Sequence, residues 1–200
     1  VYVRALTPIF FALSVLWQAG LGKAPLASGL VSVPFALGSI LGSSQTARLA
    51  VKMGRRVLTI GTAMVAVGLV AVWVILWTVP GTHINHWMLL APLFIAGTGS
   101  GLFIAPNQQF IIATVDRSEA GAASGVIGTA QRVGAASGIA IVGSVLFGTL
   151  HAGGGAGTTA AQMAAAYERS TAYAIAVSAV LAVTAFLLVF TLPKRTGINP

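Results

Sequence analysis

PNQQFIIATVDRSEAGAASGVIGTAQRVGAASGIAIVGSVLF, from Pro106 to Phe147, joins the polar end of one apolar segment, a short charged turn, and a second segment rich in glycine, alanine and serine. Arg132 lies inside that second segment, and its nearest carboxylates in sequence, Glu119 and Asp116, sit on the turn behind it. An arginine in an apolar span is either a pathway residue or a structural anchor, because an unpaired charge in hydrocarbon costs at least a few kcal/mol.

Composition fixes the class. Hydrophobic residues make up 56% of the 200 residues, charged residues 7%, and the mean hydropathy is +0.92. A soluble domain carries roughly a quarter charged residues, so this chain cannot cover a water-facing surface and reads as a membrane protein. The net charge of +8 would suggest nucleic acid in a soluble chain. Here the basic residues fall between apolar runs, so topology accounts for them and no nucleic-acid partner is expected. The absence of cysteine removes disulfides and thiol chemistry. The chain opens at Val1 with its first apolar run already under way by Ala5. No charged n-region precedes that run, so the expectation is a piece whose N-terminal part lies outside it.

A hydrocarbon core of about 30 Å needs roughly 20 apolar residues per helix. Outward from the central stretch, six spans are expected: 5–20, 26–50, 57–79, 87–114, 120–150 and 170–192, a single six-helix bundle. The first is short and ends in Trp17-Gln18, the second is interrupted by Pro34, and a glycine-rich loop occupies His151–Thr159. With six spans both termini share one side. That side holds Arg4, Arg48, Lys52, Arg55, Arg56, Arg117, Lys194 and Arg195, against Lys23 and Arg169 on the other. The positive-inside rule then makes both termini cytoplasmic in a multi-pass protein of the cell membrane. A three-plus-three inverted arrangement is conceivable, but similarity between the halves is too weak to show it.

Nothing points to an enzyme. A nucleophile needs a neighbouring base and a hydrolytic metal about three ligands, whereas His83, His86 and His151 all fall in expected outer loops. No metal or cofactor is implied. Gly97-x-Gly99-x-Gly101 lies inside an apolar span without a following Lys-Ser/Thr, so close helix packing explains it better than phosphate binding. Gly121-xxx-Gly125 and Gly134-xxx-Gly138 are small-xxx-small patterns that let helices approach in lipid. Arg132 is about 18 Å along its helix. No expected span contains Asp or Glu, so its partner is either backbone carbonyls or a group outside this chain. Gln18, Asn107, Gln108, Gln109 and Gln131 are the other polar candidates for a substrate path. Asn107 follows Pro106, whose ring frees a carbonyl one turn back and favours a kink.

These residues resemble the C-terminal half of the major facilitator superfamily, in particular its fourteen-helix drug:proton antiporter branch. The resemblance rests on Gln18–Gly29 with Pro34–Gly38, on Ala47–Arg56, and on Pro106-Asn107 through Gly121–Gly125 to Gln131–Ala140. Ala47-Arg-Leu-Ala-Val-Lys-Met-Gly-Arg-Arg56 is similar to a degenerate copy of the superfamily's cytoplasmic loop motif, with Val51 at its acidic position and Ala47 at its leading glycine. The resemblance implies a small lipophilic substrate and bound protons as partners. It also implies a further six-to-eight-helix N-terminal part of the same transporter, with alternating access by rocking of two bundles. It places Arg48, Lys52, Gly54, Arg55 and Arg56 at a cytoplasmic gate. The residues alone leave a second possibility, a membrane scaffold or homodimeric half-transporter joined through its glycine faces.

Overall fold

Apolar side chains gain little by leaving lipid for one another, so helices in a bilayer are held by close packing and interhelical polar bonds. Where the backbones can approach therefore decides the architecture. The computed structural model describes residues 2–54, 56–79, 86–112, 116, 119–153 and 159–191. They form α1 (Tyr2–Val15, continued by a π-helical turn Leu16–Gly20), α2 (Pro25–Leu30), α3 (Val33–Met53), α4 (Arg56–Thr78), α5 (His86–Ile112), α6 (Ala120–Gly153) and α7 (Ala160–Thr191). Among the described residues five apolar stretches are long enough to cross a membrane, with Pro25–Leu49 counting as one, and Leu6–Gly20 is a shorter apolar helix. The chain is an all-helical, multi-pass membrane protein.

Two features of the helices have local causes. The second span is broken: α2 stops at Leu30, four residues before Pro34 of α3, because a proline ring clashes with the carbonyl four residues back. The last helix begins at Ala160, ten residues before the expected Ser170. Thr159 and Gln162 form a capping box there. The Thr159 amide donates to Gln162 Oε1 at 2.8 Å, and the Gln162 amide donates to Thr159 Oγ1 at 3.4 Å. As a result Glu168 and Arg169 are helical and fall inside the apolar stretch Gln162–Val189, correcting the expectation of acid-free spans.

At the centre, α5 is wedged between α3 and α4. Gly97 and Gly101 lie one turn apart on one face of α5, where an added Cβ would meet the carbonyl oxygens of Phe35 and Ser39 on α3. On α3, Gly38 and Gly42 are equally tight against the carbonyls of Phe94 and Thr98. Gly99 is turned about 200° from Gly97 and faces α4, where a Cβ would stand 2.9 Å from the Val65 nitrogen. Its counterparts on α4 are Gly61 and Gly68, whose Cβ atoms would be 2.8 Å from the Gly99 oxygen and 2.6 Å from the Pro92 oxygen. The Gly-x-Gly-x-Gly run thus serves two helix contacts at once. Thr46 adds a polar tie, its Oγ1 donating to the Gly42 oxygen at 2.9 Å and lying 3.3 Å from the Gly101 oxygen.

The partners also set direction. Residues 35–43 of α3 pair in ascending order with 94–102 of α5, so those helices are parallel, whereas Gly61 and Gly68 pair with Gly99 and Pro92 in reverse order. A larger-residue core joins α4 and α7 to α1 and α6, with Ile9, Leu16, Leu69, Val72, Leu146 and Ile175 all buried. Trp77 of α4 meets Tyr173 of α7 edge-on at 5.7 Å, and Val70 shares a groove with Val183, so α4 and α7 are antiparallel. Arg48, Lys52 and Arg56 then mark one end of the bundle, called here the basic end.

Gly121, Gly125 and Gly128 behave differently from the central glycines. Nothing among the described residues comes within 4 Å of a Cβ placed on any of them. Gly121 and Gly125 thus meet no helix among the described residues, while Gly134 is half-buried and Gly138 buried. Gly101→Ala is expected to destabilise the protein by about 1–3 kcal/mol, since the obstruction is α3 backbone and cannot rotate away. Gly125→Ala should not destabilise the bundle and should raise its stability by up to about 1 kcal/mol, because the space is open and alanine is the better helix former. Thermal unfolding of the two variants in one detergent checks the contrast.

Candidate functional site

The polar side chains singled out from the sequence fall at three levels. Nearest the end opposite the basic one is Gln18, on the π-helical turn that follows α1. Its Nε2 donates to Ser14 Oγ at 2.7 Å and lies 3.4 Å from Ser28 Oγ, and the Ser28 hydroxyl donates to Ser14 Oγ at 3.2 Å. These three groups line a cleft of about 260 Å3 between α1 and α2, walled by Phe10, Leu13 and Pro25, with Ser32 at its edge. Phe10 is held edge-on by Phe35 at 4.9 Å. The wider π turn and Gly20, where a Cβ would stand 2.8 Å from the Tyr167 Cβ, aim Gln18 into this cleft rather than into α7.

Asn107 and Gln108 lie near the basic end of α5, after the buried Pro106, and both are half-buried. The helix continues through Pro106 as far as Ile112. The side chain of Gln109 lies outside the described residues, as does all of Arg55. Arg48, Lys52, Gly54 and Arg56 are exposed around the α3–α4 turn. Gly54 has φ +52° there, a left-handed conformation that glycine adopts without strain.

Gln131 is half-buried on α6, whereas Arg132 is exposed and has no hydrogen-bond or ion-pair partner among the described residues. Its level in the bundle follows from the packing. Thr149 of α6 shares a groove with Tyr173, and Tyr173 touches Trp77. Seventeen residues toward the basic end from Thr149 is Arg132, and the same step from Trp77 reaches Ile60, only four residues inside the start of α4, about 6 Å. Arg132 is therefore near the basic end, where its long side chain can carry the guanidinium to the interface. Gly20 packs on Tyr167, which puts Gln18 about 30 Å from Arg132 along the bundle axis. One small molecule cannot touch both.

The sequence reading missed Ser14 and Ser28. The spacing Ser14-xxx-Gln18 on one helix face was a usable signal, but Ser28 joins only because the chain reverses at Gly22-Lys23-Ala24-Pro25. What the site offers is hydrogen bonding from uncharged groups beside aromatic rings, suited to binding a small molecule.

The sequence profile of the Major Facilitator Superfamily matches residues 4–200. The chain belongs to that superfamily of membrane transporters. Among curated relatives, it is 30% identical over 151 residues to the probable actinorhodin transporter of Streptomyces coelicolor, covering 75% of this chain and 26% of that protein. It is 30% identical over 188 residues to the puromycin resistance protein pur8 of Streptomyces alboniger, covering 90% of this chain and 37% of that one. The multidrug resistance protein Stp of Mycobacterium tuberculosis is 29% identical over 132 residues, covering 66% and 24%. The chain thus spans between about a quarter and two fifths of the length of these relatives.

The Ser14–Gln18–Ser28 bonds give a stability test independent of substrate. Ser14→Ala and Gln18→Leu should be non-additive in thermal unfolding, with a coupling of about 1 kcal/mol from the hydrogen bond they share.

Proposed function

We propose that this chain is the C-terminal six-helix bundle of a secondary transporter that exports lipophilic compounds by alternating access in exchange for protons. The observation that carries the reading is the bare first half of α6. From Ala120 to Ser137 no residue is buried, and burial begins only at Gly138. That half is built of Gly121, Gly125, Gly128, alanines and serines, a surface suited to close approach by another helix. A second bundle of the same transporter is the occupant proposed here, with the substrate path along the seam between the two.

The relatives' names, an antibiotic transporter and two resistance proteins, support export of lipophilic compounds as the substrate class. An aromatic wall with uncharged hydrogen-bonding groups, as in the Phe10–Gln18 cleft, fits such compounds better than ions. Asn107 and Gln108, then Gln131, then Gln18 would be met in succession by a substrate leaving the cell. Arg132 would act near the cytoplasmic mouth with Arg48, Lys52, Gly54, Arg55 and Arg56 around the gate. Proton-carrying carboxylates would belong to the other bundle, and the membrane concerned is the cell membrane with both ends of this chain cytoplasmic.

This chain has no cysteine, so once any cysteine in the rest of the transporter is replaced by serine an introduced one reports its neighbours cleanly. Gly125→Cys in the natural full-length chain, paired with single cysteines placed along the other bundle, should cross-link within one molecule. Cross-linking only between two copies would sink the proposal in favour of a homodimer or scaffold joined through this face. Arg132→Ala should lower efflux of a fluorescent lipophilic dye by about tenfold, the scale of one charge-assisted hydrogen bond, with expression near normal and Arg132→Lys largely active. Parallel loss of protein and transport would assign Arg132 to structure instead.

A further inference from the structure

On the far side of the bundle from the Gln18 cleft, α4 and α7 leave a feature with a different polarity. At the end opposite the basic one, a cleft of about 600 Å3 is lined by Trp77, Thr78, Glu168, Arg169 and Tyr173. Arg169 is exposed and has no carboxylate partner among the described residues. Glu168, its sequence neighbour, also lines the cleft and leaves the helix about 100° around from Arg169.

Two apolar grooves run on from this cleft toward the basic end, one on each flank of α7. The α4–α7 groove, about 260 Å3, is lined by Val70, Trp73, Ala176, Val180, Val183 and Thr184. The α6–α7 groove, about 380 Å3, is lined by Val145, Thr149, Tyr173, Ala176, Val180 and Leu181. Tyr173 belongs to the cleft and to the second groove, while Ala176 and Val180 belong to both grooves. From Tyr173 to Thr184 is about 16 Å of helix, close to half of the roughly 30 Å hydrocarbon core and so to the depth of one leaflet. Trp73, Trp77 and Tyr173 stand in contact where the polar cleft meets the grooves, with centroids 6.2 Å and 5.7 Å apart. Aromatic rings of this kind concentrate at the level of lipid headgroups.

We infer that this surface is a binding site for one diacyl phospholipid. The phosphate sits on Arg169 between Trp77 and Tyr173, and the two acyl chains straddle α7, one in each groove. A single-chain or purely apolar occupant would leave either the arginine or one groove unused. A free anion would leave both grooves unused. The guanidinium's planar fork suits a phosphate better than an ammonium would.

The test uses the natural full-length chain, purified in mild detergent and examined by native mass spectrometry with added palmitoyl-oleoyl phosphatidylglycerol or phosphatidylethanolamine. One tightly held phospholipid is expected on the unaltered protein. Arg169→Gln should lower its retention by about tenfold, the effect of one charge-assisted hydrogen bond. Val180→Trp fills the point shared by both grooves at an exposed position, and should lower retention similarly with Arg169 intact. Thermal unfolding confirms that each variant is folded, and one properly folded variant suffices. Lipid retention unchanged in a folded Arg169→Gln or Val180→Trp protein would overturn the proposal. So would inorganic phosphate at millimolar concentration displacing the lipid as readily as a second phospholipid does, which would make this an anion site only.

Discussion

Backbone contact between α5 and its two neighbours is the constraint from which the rest follows. In lipid there is no general hydrophobic drive between helices, so the gain must come from many short-range contacts, each a fraction of a kcal/mol. Those contacts require that nothing stand between the backbones. Gly97 and Gly101 toward α3, and Gly99 toward α4, meet the requirement on two faces within five residues. Because the obstructing atoms would be carbonyl oxygens and amide nitrogens, there is no rotamer by which a larger side chain could be accommodated. The contact also fixes register, since Gly38 and Gly42 answer from α3 and Gly61 and Gly68 from α4. A slab of three helices locked at both seams is a rigid body.

The other half of the bundle is held differently. Around α7 the contacts are made by larger side chains, Leu69, Val72, Leu146 and Ile175 among them, and grooves remain between the helices. α6 has its fully buried residues, Gly138, Val142 and Leu146, in its second half, with Phe147 meeting Phe11 edge-on at 6.4 Å. So the glycines of one chain play two physical roles. Those of α3, α4 and α5 are consumed within the bundle, whereas those at the start of α6 are presented outward. Helix composition alone does not separate the two, because both show the same small-xxx-small spacing.

That distinction marks what was legible beforehand. Apolar run length was enough for the all-helical membrane class, since the length of an apolar helix is set by bilayer thickness. The Gly97-Gly99-Gly101 run could be read as close packing because it lay in the middle of a span with no companion chemistry. Which glycines meet a neighbour depends on how helices are arranged in space, and Gly121 and Gly125 could not be placed from spacing. The start of α7 was hidden for a different reason. Glu168-Arg169 looked like loop charge, while the actual signal was the Thr159-x-x-Gln162 capping box ahead of an alanine-rich run. The polar cleft was half visible: Gln18 stood out as an amide in an apolar context, but Ser14 and Ser28 are commonplace residues until the turn at Gly22 brings them together.

Arg132 shows how far a depth inferred from one helix can mislead. Counting from Ala120 gives about 18 Å, deep in a span that starts where the helix starts. But α6 has 34 residues, about 50 Å of helix against a hydrocarbon core of about 30 Å, so its ends need not mark the membrane boundaries. Measured instead through Thr149, Tyr173 and Trp77, the arginine is level with Ile60, within a turn or so of Arg56. A guanidinium there can reach water and headgroups along its own side chain, and an absent carboxylate needs no explanation. The argument for a partner bundle therefore passes from the charge of Arg132 to the surface around it. An arginine near the interface is easily satisfied; eighteen consecutive helical residues without one buried side chain, in a helix whose other half is well packed, are not.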